Sequence, residues 1–438
     1  MGGLGMAKIC RPIVEYQDII THTGISLDDY TPPKKIIKRF IRLLKKIPDK
    51  RIQGMIDYPL HEILLIAFLA VLANASTWTE LEAFGRKKQK WLRKFLKLEH
   101  GIPSHDTFRR TFSLIAPSQL EKATVFFLLE NMEKIKKTLS IKKEGKRLIC
   151  VDGKVQNGTG RCYGTDQEVK NLQTLHVYDA SNAVCLISQP IAEKTNEIPT
   201  AQEVLKVMQL KGAVVTFDAM NTQKNTVAVI AGQKGDYIGG LKGNHEIFLF
   251  EISEYFTDKK KEQIRAKKAN YYETVEKSHS QIETRMYYLT TSINWFEDKS
   301  KWAKLRGFIC YEKKIYNTVT GKETKEIRYY ITSLKDVELC AEAIRGHWSV
   351  ENQLHWHLDA NFHEDDNTTT DKNAFHNLSI LNKLTLSLLK LAQPLMNNDS
   401  IRLIRKEFSW ATEDCLSVIL NAFDEKTLQK ALESAKNK

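Results

Sequence analysis

Two apolar runs, each closed by an aspartate, constrain this chain more than any other feature. "RLICVDG" at 147–153 ends in Asp152 and "AVVTFDAMN" at 213–221 carries Asp218 after its apolar part. Both read as buried strands. Shorter β-type runs, "LQTLHVYDA" and "AVCLISQPI", follow the first, and helical patterns at 199–210 and 221–232 bracket the second. A further strand, "GDYIGGLKGN", comes next. Strands alternating with helices predict an α/β fold whose sheet has parallel members. Asp152 and Asp218 then stand at the carboxyl edge of that sheet, where α/β proteins bind ligands.

The chain before residue 147 is of a different kind. Residues 1–33 read as a loosely structured, flexible arm. From 34 to 51 the sequence holds nine basic residues and one acid, with Ile37, Ile41 and Leu44 on one helical stripe. That basic face is either solvated surface or a phosphate contact. The longest apolar run, "ILLIAFLAVLA" at 63–73, is too short to span a bilayer and predicts a buried helix. Another helix is expected near 78–97. "GIPSHDTFRRTFSLI" then gives a turn and cap at Pro103 and Ser104 and an apolar stripe of Phe108, Phe112 and Ile115. Arg109 and Arg110 would face outward, as in a helix-turn-helix DNA reader or in a plain helical hairpin. The expected organisation is an all-α N-terminal region at 34–140 and an α/β domain at 147–390. A β-rich insertion is expected at about 271–333, and a helical C-terminal tail at 391–438.

A formal net charge of +13 favours a polyanionic partner, nucleic acid or an acidic membrane surface. Seven scattered cysteines with no C-x-x-C pair predict reduced thiols in a cytoplasmic protein. The N-terminus lacks a signal-peptide pattern.

The stretch "GHWSVENQLHWHLDANFHEDD" at 346–366 is dense in acids, histidines and tryptophans. At 100° per residue, Trp348, Glu351, Asn352, His355, Leu358, Asp359 and Phe362 share one helical face. Glu351 and Asp359 are about 12 Å apart along the axis, too far to serve one metal pair together. One is then a metal ligand and the other a supporting acid. Hard divalent cations require carboxylate oxygens. His355 and His357 point to different faces, which disfavours zinc. Trp348 and Trp356 are expected in the core or an interface.

Together "VDGK", "KTNEIP", "VTFDAMNTQ", "GDYIGGLKGN" and "IRGHWSVENQLHWHLDANFHEDD" closely resemble the H-repeat-associated group of bacterial insertion-sequence transposases. "YPLHEILLIAFLAVLA", "FGRKKQKWLRKFL" and "GIPSHDTFRRTF" resemble the N-terminal region of that group, so the likeness runs in order from about 40 to 390. It implies an RNase H-like mixed sheet with flanking helices, and an Asp-Asp-Glu triad of Asp152, Asp218 and Glu351 holding Mg²⁺ or Mn²⁺. It further implies nicking of element ends by water and attack of the freed 3′-hydroxyl on target DNA. The implied partners are double-stranded DNA, as terminal inverted repeats and as target, and a second copy of the chain. No membrane partner is implied.

Several cations near these motifs are candidate DNA contacts: Lys154, Lys194, Lys242, Arg109 and Arg110. The wider superfamily often has Tyr, Arg, Glu and Lys where this chain has Ile344, His347, Glu351 and Leu358. Arg345 and His347 are then expected to replace the usual cation near phosphate. His355, with Asn352 beside it, is expected behind Glu351. Asn196 and Glu197 fit a helix cap or a catalytic role. Two other readings stay open, a DNA-binding relic without catalysis and a metal-dependent nuclease without strand joining.

Overall fold

A computed structural model describes residues 34–138, 145–160, 170–192, 196–278, 280–396 and 399–436. The expected arm at 1–33 and Lys194 lie outside them. The centre is one nine-stranded mixed sheet in the order β3-β2-β1-β4-β5-β9-β8-β7-β6. Strands β1 (Arg147–Gln156), β2 (Leu172–Asp179) and β3 (Val184–Ile191) form an antiparallel meander. β4 (Ala213–Phe217) and β5 (Asp236–Leu241) lie parallel to β1. This is the expected RNase H-like arrangement. Parallel strands covered on both faces need continuous apolar runs, and β4 is buried at every residue.

The sheet continues past β5. β9 (Glu323–Thr332) pairs antiparallel with β5, and β8 (Gly307–Asn317), β7 (Gln281–Thr290) and β6 (Tyr271–Ser278) follow as a meander. Side chains alternate between two cores. Ile149, Val151, Val215 and Phe217 pack with α6 (Glu197–Val207) and α7 (Lys224–Gly232). Leu148, Cys150 and Val214 pack with α10 (Val337–His347) on the other face. By the same alternation Asp152, His176 and Thr216 face α10.

The second core extends into both ends of the chain. It takes in α1 (Lys34–Leu44), α2 (Leu60–Leu72), α3 (Trp78–Leu92), α4 (His105–Leu114) and α5 (Pro117–Thr138). The long helix α12 (Lys372–Ala392) joins them to the sheet, and Asn377 on it donates to the carbonyls of Phe112 and Ile115 at 2.8 and 2.9 Å. The C-terminal residues are equally built in. Arg405 is fully buried, stacks on Phe362 at 4.0 Å and donates to the Val71 carbonyl at 3.2 Å. Among the described residues no helix is long and apolar enough to cross a membrane.

Candidate active site

Val151 stands opposite Phe217 in the parallel β1–β4 ladder. The next residues, Asp152 and Asp218, therefore lie side by side, Asp218 just past the end of β4 but Asp152 inside β1, which runs on to Gln156 and is not at the expected sheet edge. Asp218 is fixed by a tight turn in which its Oδ1 accepts from the Asn221 amide at 3.0 Å. On the facing side, α10 lies so close to β1 that a Cβ on Gly346 would fall 2.3 Å from Leu148 Cδ2. Beyond α10 the helix opens into a π turn over Glu351–His355 before closing again as α11 (Trp356–Phe362). The wider turn breaks the uniform 100° stripe and is a form often seen at functional sites. Glu351, Asn352 and Gln353 face solvent while Leu354 and His355 turn inward. Glu351 reaches a cleft of about 870 Å³ that is also lined by Asp152, Asp218, Lys242, Arg328, His347 and Trp348.

His355 is buried, and its Nδ1 lies 3.0 Å from Glu351 Oε2 and 3.8 Å from Asp152 Oδ2. Its Nε2 meets Nδ1 of buried His176 at 2.9 Å. A fourth carboxylate adjoins the acids. Glu197 opens α6 behind the Asn196 cap, which accepts from the Ile198 amide at 3.0 Å, and Glu197 itself accepts from the Asn221 side chain. A Cβ on Gly153 would lie 2.4 Å from Glu197 Oε2, so a glycine lets this carboxylate approach β1.

The electrostatics follow from that crowding. Burial, then the charges of Glu197, Asp218 and Glu351, push the Asp152 carboxyl up to about 7. Burial and Asp218 raise Glu197. Glu351 moves the other way, held below the usual carboxylate range by its hydrogen bond to His355. Like-charged oxygens held together in a half-buried cleft suit a hard divalent cation. Asp152, Glu351 and His355 offer ligand atoms all within 4.8 Å of one another. Asp218 faces the same cleft from the β4 end.

Several expectations change. Lys154 is buried, with both Asp359 oxygens at 2.6 Å and Asp365 at 3.8 Å. Carboxylates enclose its ammonium, so it braces the helix after Glu351 and is not open to phosphate. Asp359 is thereby a supporting acid. Asp365 accepts from the Asn157 amide and side chain at 3.2 and 2.8 Å, and buried Glu364 accepts from Asn382 at 3.2 Å. These acids clamp the segment after β1 to the helical layer.

Arg345 pairs with Glu276 of β6 at 2.7 Å. His347 bonds Thr216 at 3.0 Å, and burial drives its imidazole down to about 4, so it faces the cleft neutral and does not replace a cation. Trp348 and Trp356 are 44% and 54% exposed, so of the core and interface readings only the core one fails. Arg328 stacks over the Trp348 ring at 4.8 Å. Asn352 lines an adjoining groove with Arg285, Lys313 and Arg345. Among the described residues it makes no hydrogen bond to the acids.

Lys242 stays exposed at the rim of the acid-lined cleft. Arg109 and Arg110 are exposed on α4, Arg109 lying 3.5 Å from Asp106. Sequence reasoning missed His176 and Arg328. A histidine between the apolar Leu175 and Val177 of "LQTLHVYD" was the local sign of the former.

Residues 143–388 match the family model "Transposase DDE domain", and residues 41–128 match the model described as "DDE_Tnp_1-associated". The chain therefore belongs to the DDE transposase family, in its H-repeat-associated group. "Putative transposase YncI" of Escherichia coli O157:H7 is 30% identical over 365 residues, covering 81% of this chain and 88% of that protein. "H repeat-associated putative transposase YhhI" of Escherichia coli K12 is 28% identical over 359 residues, covering 81% and 90%. Among solved structures, a piggyBac transposase synaptic complex with hairpin DNA gives a TM-score of 0.36 at 12% identity. It covers 93% of this chain and 85% of that one, a likeness too low to argue from. Family membership makes DNA the class of partner and divalent metal the class of cofactor.

Proposed function

We propose that this protein is a DNA transposase that nicks the ends of its own element and joins the freed 3′-hydroxyl to target DNA. The observation that carries this reading is the convergence of Asp152 and Asp218, from adjacent parallel strands, with Glu351 on one cleft. These three carboxylates would hold Mg²⁺ or Mn²⁺. When bound, such ions activate an attacking oxygen and stabilise a leaving one. Lys242 and Arg328 on the cleft walls suit backbone phosphates, and exposed Trp348 offers an aromatic face beside them.

In the first step a water oxygen attacks phosphorus and the P–O3′ bond breaks, leaving a 3′-hydroxyl and a 5′-phosphate. In the second that hydroxyl attacks a target phosphodiester and displaces its 3′-oxygen. Neither step needs a covalent protein–DNA bond. The basic faces of α1 and α4, the latter with Arg109 and Arg110, are candidate contacts to the terminal inverted repeats. We take the working form to be a homodimer on DNA, bound at the nucleoid in the cytoplasm.

The test uses full-length protein, Mg²⁺ or Mn²⁺, and a plasmid carrying the DNA that flanks the gene on both sides, where terminal inverted repeats would lie. Wild type should nick at the repeat ends and join a pre-cut 3′-hydroxyl end to a second plasmid, and Glu351→Gln should do neither. Equal background cleavage by the two proteins would refute a catalytic role. Nicking without joining would reduce the protein to a nuclease, and salt-sensitive binding without nicking to a DNA-binding relic.

A further inference from the structure

We propose that His176 is a positioning residue for Glu351, acting through His355. The proposal rests on reading Asp152, Asp218 and Glu351 as the catalytic acids. Glu351 leaves the helix on its widest turn, and 54% of its side-chain surface is exposed. Backbone geometry alone holds such a carboxylate loosely. Its bond to His355 supplies the restraint.

The direction of that bond fixes one proton. An ionised carboxylate only accepts, so His355 Nδ1 carries the proton at 3.0 Å from Glu351 Oε2. A proton on His176 Nε2 would be a buried donor with no partner among the described residues, so His176 carries its proton on Nδ1 and the second nitrogen of His355 accepts. The atom 2.9 Å from it is His176 Nδ1, which must donate. His176 Nε2 is left as a buried lone pair, and no hydrogen-bond partner reaches it among the described residues. The donor of His176 is thus committed to His355.

The position of His176 gives this chain of bonds its purpose. It is the cross-strand partner of Asp152 in the β1–β2 register, and Ser188 is its partner on β3. Lys383 of α12 donates to Ser188 at 2.7 Å and pins that row to the helical layer. The strand pair that carries Asp152 therefore also sets the orientation of Glu351. Two acids far apart in sequence share one rigid reference.

The competing arrangement makes His355 a direct ligand of the metal. Its Nδ1 would then present a lone pair and its Nε2–H would donate to His176 Nδ1. The remaining N–H of His176 would be a buried donor without an acceptor, which is the costlier state. Hard cations also prefer the carboxylates.

The test uses full-length protein, Mn²⁺ as the probe, and the plasmid substrate. His176→Leu should weaken Mn²⁺ binding in calorimetry, and nicking, about 10- to 100-fold, with DNA affinity unchanged. His176→Asn, whose amide can donate where Nδ1–H did, should recover most of both. In a His355→Ala background, His176→Leu should add no further loss. Pulsed electron paramagnetic resonance of bound Mn²⁺ in wild type should show no directly coordinated nitrogen.

Imidazole nitrogen on the metal overturns the proposal, as does wild-type Mn²⁺ affinity and nicking in His176→Leu. Should His176→Leu fail to fold, His176→Asn decides. Retention of at least half of the wild-type Mn²⁺ affinity supports the role, and a loss equal to that of His355→Ala overturns it. A wild type that binds Mn²⁺ but never nicks would sink the transposase reading. The metal affinities and the spectrum would still test His176.

Discussion

Asp152 and Asp218 are held by two hydrogen-bonded parallel strands, and Glu351 stands on a π turn of a helix. The two aspartates extend from adjacent parallel strands whose ladder hydrogen bonds set their spacing. Glu351 depends on the close seating of α10 at Gly346 and on a bond from His355. Their electrostatics differ in the same way. Asp152 is buried, crowded by acids and pushed up to about 7, whereas Glu351 is held low by an imidazole. The strand pair carries the electrostatic strain, and the helix places an already ionised group opposite it. Each half suits a cation, one because it needs a counter-charge and the other because it is ready to bind.

Unfolding of metal-free protein gives the largest contrast. The folded Asp152 carboxyl is raised from 3.8 to about 7. Its contribution to stability is therefore fully present below about pH 3.8 and is lost as pH rises towards 7. Asp152→Asn should then be the more stable protein at pH 8, by up to about 4 kcal/mol, with a smaller gap at pH 5. Denaturant titrations in a chelator at both pH values measure this, and added Mn²⁺ should close the gap. Parallel pH dependences for the two proteins would show that the crowding is not felt.

Gly346→Ala comes next. The new methyl group meets a buried Leu148 that has little room to yield, so a loss of about 1–3 kcal/mol is expected. Because α10 carries Glu351, nicking should also fall, by at least roughly ten-fold on the displacement argument, while Asp152 and Asp218 stay in place. Unchanged nicking in a destabilised variant would separate helix seating from Glu351 placement.

The smallest effect is expected for Glu351→Gln in the absence of metal. The depressed Glu351 carboxyl stabilises the fold above its ordinary value of 4.5, and that contribution disappears as pH falls through the lowered one. At pH 7 the substitution should cost under about 1 kcal/mol, because half the side chain faces water. A larger loss would mean that Glu351 is structural as well as catalytic.

Much of the sheet was legible in the chain. Apolar runs ending at Asp152 and Asp218 mark buried strands, because a strand covered on both faces cannot carry alternating polar residues. The buried helix at Leu60–Leu72 could be read for a similar reason. Glu351 was legible only through family resemblance, since a uniform helix stripe does not foresee a π turn. The pairing of Lys154 with Asp359 spans 205 residues, and the contact of His176 with His355 spans 179. No local pattern reports such distances. Glu197 carried two local meanings, a helix-start residue and a catalytic acid; in the fold it opens α6 beside the Asn196 cap and its charge bears on Asp152.

The sequence by itself determined the α/β class, the two apolar strands with their acids and the excess positive charge. These follow from residue type and short-range period, which are properties of neighbours along the chain. Tertiary structure alone decided which cations are free and which are bound, burying Lys154 among carboxylates and pairing exposed Arg345 with Glu276 while Lys242 stays on the cleft. It also decided that His176 stands beside Asp152, through strand register. Charge and hydrogen-bond partnership depend on separations of a few ångströms, and only the folded chain sets those.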